Sequence, residues 1–108
     1  MNTKQLKTIV DNAYKLQKKL YIYIVECIMF DGDKATYTDL TTWVTYTIPD
    51  CGGKYLYWRE ELRGLCIAYP NTEIEFREDG IYLPNGNRYK IELETDEFPK
   101  IPDVVYGG

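Results

Sequence analysis

The stretch 57-YWREELRGLCIAYPNTEIEFREDGIYLPNGNRYKIELETDEFPKIP-102 decides how this chain is read. Leu62, Leu65, Cys66 and Tyr69 recur at steps of three and four, which predicts a helix from Arg59 to Tyr69 with one buried stripe, stopped by Pro70. Glu60 and Glu61 fall in its first turn, where the helix dipole favours negative charge. Arg59 and Arg63, one turn apart, are expected to face away from the stripe. Gly64 costs about 1 kcal/mol relative to alanine unless a neighbouring backbone packs against it. Beyond Pro70, Glu73 to Glu78 alternates carboxylates with Ile74 and Phe76 and reads as a strand. Gly80 to Pro84 and Arg88 to Leu93 read as a hairpin on Asn85-Gly86, a pair that favours a type I′ turn. Asp96 to Pro102, with prolines at 99 and 102, is expected to run as an extended tail.

Working back toward the start, Leu6, Ile9, Val10, Ala13, Leu16 and Leu20 predict an amphipathic helix over Thr3 to Lys19, with Thr3 as N-cap. Its other face gathers Lys4, Lys7, Lys15 and Lys18 around a single carboxylate, Asp11. Leu20 to Phe30 is apolar apart from Glu26 and ends at the turn signal Asp31-Gly32-Asp33-Lys34, so it reads as a strand covered on both faces. Ala35 to Leu40 and Thr42 to Ile48 alternate as two further strands, the second closed by Pro49. Asp50 to Gly53 is a loop, and Lys54 to Tyr57 is a short strand that leads into the second helix.

At 108 residues the chain is the size of one domain with one core. No run approaches the roughly 18 apolar residues of a membrane span. The polar start carries no signal-peptide core, so a soluble, cytoplasmic protein is expected. Three widely spaced cysteines suggest neither a disulfide framework nor a metal site. The absence of histidine removes the usual general base and the commonest metal ligand. No enzyme, metal site or cofactor is therefore expected. The net charge of −4 is uneven, with five lysines against Asp11 and Glu26 over residues 1 to 30 and a surplus of carboxylates beyond. An acidic protein that touches nucleic acid must do so through a local basic face, and the first helix is the candidate.

The order helix, strands, helix, strands, together with several local patterns, resembles a single domain of the bacterial DNA polymerase III beta sliding clamp. Those patterns are a strand ending in Asp31-Gly32-Asp33, Thr38-Asp39-Leu40 followed by alternation to Ile48-Pro49, Leu62 to Pro70, Arg88-Tyr89 to Leu93, and Glu97-Phe98-Pro99. The resemblance covers nearly the whole chain. It implies an α+β DNA-clamp-like domain over residues 1 to 108, with two helices packed on antiparallel β-sheet and no enzymatic activity. In that family the helices line the inner wall of a ring and touch double-stranded DNA through sequence-independent phosphate contacts. Carried onto this chain, the DNA-facing residues are Lys4, Lys7, Lys15, Lys18, Arg59 and Arg63. The implied partners are double-stranded DNA, replication proteins and further copies of the chain. The chain departs from the family in supplying one domain where a clamp subunit has three, and in lacking the short strand that precedes the first helix. A reading from a different class is a monomeric protein-interaction module, a phage or mobile-element adaptor or decoy, that uses the clamp fold without encircling DNA.

Other chemistry is weaker. A calcium loop starting at Asp31 would need glycine at position 36 and glutamate at position 42, where Thr36 and Thr42 stand. Glu73 and Glu75 share a strand face as solvated carboxylates do. Eleven tyrosines, among them Tyr21, Tyr23, Tyr37, Tyr46, Tyr55 and Tyr57 in predicted strands, are mostly explained by strand propensity.

Overall fold

The computed structural model describes residues 1–17 and 26–89. In chain order they form α1 (Thr3–Leu16), β1 (Cys27–Asp31), β2 (Lys34–Thr38), β3 (Trp43–Thr47), β4 (Lys54–Trp58), α2 (Arg59–Ala68), β5 (Glu75–Arg77), β6 (Gly80–Tyr82) and β7 (Arg88–Tyr89). One sheet has the order β3-β2-β1-β4 and the other β5-β6-β7, and every pairing is antiparallel. The architecture is α+β, as expected. Lys18 and Lys19, residues 20–25 of the strand expected over Leu20 to Phe30, and everything from Lys90 onward, the positions of the expected extended tail included, lie outside the described residues.

The predicted stripe of α1 is buried at Leu6, Ile9, Val10 and Ala13. Its cap differs from expectation. Asn2, not Thr3, is the N-cap, and its Oδ1 accepts from Lys4 N at 2.8 Å. Thr3 is taken up by tertiary contacts instead, its hydroxyl donating to the Tyr69 carbonyl at 2.6 Å and accepting from Thr72 N at 2.9 Å. Ahead of the helix, Asn2 bridges Glu73 in antiparallel fashion and Ile74 N donates to the Met1 carbonyl at 2.7 Å. A single bridge thus stands where the sequence reading expects no strand at all.

The core lies between the helix pair and the sheets. Ile28 and Phe30 of β1, Ala35 and Tyr37 of β2, and Tyr55 and Tyr57 of β4 join Leu6, Ile9, Leu62 and Leu65 from the helices. Each fully buried Ile, Leu or Phe among them contributes about 1.5–3 kcal/mol. Phe76 of β5 packs on Phe30 with ring centroids 4.8 Å apart, which ties the small sheet to the large one. The Tyr55 and Tyr57 hydroxyls satisfy themselves by donating to the Phe76 and Arg77 carbonyls, each at 3.3 Å. The expected alternation in β2 is absent, since Ala35, Thr36, Tyr37 and Thr38 are all buried. β2 is an interior strand, flanked by β1 and β3.

The hairpin between β6 and β7 departs from the predicted type I′ turn. That turn needs positive φ at both Asn85 and Gly86, and of the two only Gly86 has it, at 84°. Gly86 N donates to the Leu83 carbonyl at 3.0 Å, and Leu83 N to the Asn87 carbonyl at 2.8 Å. Pro84 therefore enters the turn and the loop has three residues, with Gly86 as the left-handed bulge position. Gly80, at φ 142°, sits so close to β7 that a Cβ would meet the Tyr89 carbonyl at 2.9 Å.

Candidate nucleic-acid interface

α1 and α2 lie side by side and run in opposite directions. Thr3 of α1 meets the Tyr69 carbonyl beyond the end of α2, and Gln17 after α1 meets Arg59 at the start of α2. The six cations predicted to share one face divide into four groups, Arg59 standing by itself. Lys4, Lys15 and Arg63 are exposed and have no carboxylate partner among the described residues. Lys7 is exposed but pairs with Asp11 at 2.8 Å, one turn along the same helix. Lys18 lies outside the described residues.

Arg59 corrects the sequence reading. Rather than facing away from the buried stripe, its side chain is only 13% exposed, donates to Gln17 Oε1 at 2.8 Å and pairs with Glu26 at 3.7 Å. Its guanidinium lies 4.2 Å from the centroid of the Tyr14 ring, and that of Arg63 lies 4.8 Å from the same centroid. Helical periodicity places Arg59 relative to its own helix axis, and the flank of α1 then covers it. Sequence reasoning missed Tyr14, Gln17 and Glu26 as its partners. The signal available was Tyr14 itself, an aromatic at the border between the buried Ala13 and the exposed Lys15.

Beside this cluster is an open depression of about 500 Å³, lined among others by Tyr14, Trp58, Glu60, Arg63 and Ile67. Ile67 is 67% exposed, the largest value among the exposed large hydrophobics described. The chain matches no protein-family model, no curated protein and no solved structure. An exposed ammonium on a flexible stem offers a phosphate a point charge, whereas a stacked guanidinium offers a planar fork of donors.

Elsewhere among the described residues the side chains show no converging reactive set. Glu75 pairs with Arg77 at 3.1 Å, and Glu73 lies 3.5 Å from the Met1 amino nitrogen. Asp31 and Asp33 flank the turn between β1 and β2. Cys66 lies on the buried face of α2, and that burial pushes its thiol up to about 11, which leaves it a poor nucleophile. Among the described residues no three Cys, Asp or Glu side chains gather as a metal site would require.

Proposed function

We propose that this chain is a non-enzymatic, sliding-clamp-like protein that contacts the backbone of double-stranded DNA through its helix layer, in the cytoplasm, and acts by assembling around DNA or by docking replication proteins. The observation that carries the reading is that Lys4, Lys15 and Arg63 are exposed cations, without a carboxylate partner among the described residues, on two adjacent helices of a chain whose net charge is −4. The order of elements, helix then strands in each half, supports the clamp-like plan. Contacts of this kind are weak, independent of base sequence and steeply dependent on salt.

Fluorescence anisotropy of a labelled duplex, followed between about 50 and 200 mM salt, tests it. Three phosphate contacts predict a slope of about −3 for the logarithm of affinity against the logarithm of salt. Lys15→Ala lowers that slope by about one unit, while Arg59→Gln leaves it unchanged because Arg59 is already engaged within the protein. Failure of the wild-type chain to retain duplex at the low-salt end overturns the reading.

The second reading, a protein-interaction module that uses the same fold without encircling DNA, is favoured by one feature. Ile67 stands 67% exposed beside the depression on α2, where a purely phosphate-contacting face has no use for an aliphatic side chain.

A further inference from the structure

We infer that Tyr14 is a positioning residue that holds the Arg63 guanidinium ready for a backbone phosphate, a role that rests on the DNA-contacting reading above. The Tyr14 ring is itself held in place, because Arg59 lies 4.2 Å from its centroid and is fixed in turn by Gln17 at 2.8 Å and Glu26 at 3.7 Å. Arg63 lies 4.8 Å from the same centroid, is exposed, and has no carboxylate partner among the described residues. A guanidinium laid on an aromatic ring keeps its in-plane N–H donors, and those match two oxygens of one phosphate. The stack also removes rotamer freedom from Arg63 before the ligand arrives, so less is lost on binding. Lys15, next to Tyr14 in the chain and exposed, adds an ammonium without such restraint. Arg63 is thereby distinguished from the lysines as the preorganised contact of the face, with Arg59 as its support.

A double-mutant cycle on duplex affinity tests this. Tyr14→Leu is expected to weaken binding about three- to fivefold when Arg63 is present and to have no effect in an Arg63→Ala background. The salt slope of Tyr14→Leu stays at the wild-type value, since no charge is removed. Tyr14→Phe retains the ring and full affinity. Arg63→Lys keeps the charge but loses both the stack on Tyr14 and the paired donors, so it is expected to bind more weakly than wild type, and it serves if Tyr14→Leu does not fold. Equal losses from Tyr14→Leu in both backgrounds, or wild-type binding by Arg63→Lys, overturn the role of Tyr14 alone. A wild-type chain that does not retain duplex overturns the DNA reading and this role together.

Discussion

Asp39 shows how one side chain redirects the backbone. Its carboxylate accepts from Thr41 Oγ1 at 2.8 Å, Thr41 N at 2.9 Å and Thr42 N at 2.7 Å. The Thr38 hydroxyl accepts from Leu40 N at 2.8 Å and donates to the Thr42 carbonyl at 2.7 Å. Together these bonds hold Leu40 at φ 76°, a conformation that costs a non-glycine residue about 1–3 kcal/mol. The alternating pattern predicts that strand β2 continues to Leu40, and it stops at Thr38 because local side-chain bonds outcompete the ladder. The Thr41 hydroxyl above all, with the Thr42 and Thr41 backbone N–H groups, holds the Asp39 carboxyl below its ordinary value. A carboxyl whose pKa is lowered by folding stabilises the protein above the unfolded value, about 3.9, and that stabilisation is lost as pH falls through the folded value. Urea midpoints of wild type and Asp39→Asn, compared between about pH 5 and about pH 2, should therefore converge on acidification. Screening at this carboxylate limits the effect to below about 1 kcal/mol. A gap that stays constant across that range contradicts the account.

At the scale of the element, α2 separates packing from display. Leu62 is fully buried against α1 and the sheet, while Ile67, five residues on and about 140° round the axis of the same helix, is 67% exposed. Leu62→Ala should destabilise the protein by about 3 kcal/mol through lost burial and the cavity left behind. Ile67→Ala should change stability by less than about 0.5 kcal/mol. Chemical denaturation of both variants checks the pair, and a comparable loss from Ile67→Ala would mean that this side chain is covered in the folded protein. Both helices were legible from hydrophobic period, and the strands of the larger sheet from Cys27 onward from apolar runs, alternation and turn signals, with the end of α1 three residues earlier than expected and the other boundaries shifted by a residue or two. The set of outward cations was legible only in part. A period names the residues on the far side of a helix from its own buried stripe, but it does not contain the neighbouring helix whose flank turns Arg59 into a partner for Tyr14, Gln17 and Glu26.

For the whole molecule, the free edges of the two sheets bear on assembly. Among the described residues β3 and β4 are the outer strands of the larger sheet, and β5 and β7 those of the smaller. A ring around DNA would need about six copies joined through complementary edges of this kind. Light scattering on a size-exclusion column, over a wide concentration range and with duplex added, should give a species of about six chains, or a smaller one that reaches that size on DNA. A monomer under every condition eliminates the ring and leaves the interaction module. The sequence by itself determined the α+β class, the helices, most strand positions, the burial of Phe76 between Glu75 and Arg77, and the exposure of Lys4, Lys7 and Lys15. These follow from local period and side-chain chemistry, which neighbours in the chain suffice to specify. Only the tertiary structure decided that Asn2 caps α1, that Gly86 takes a bulge in a three-residue loop, and that Arg59 is sequestered while Arg63 rests on the same ring in the open. Each of those outcomes depends on a group distant in sequence, such as Tyr69 for Thr3 or Gln17 for Arg59, or on which of two local turns suits the register of the paired strands.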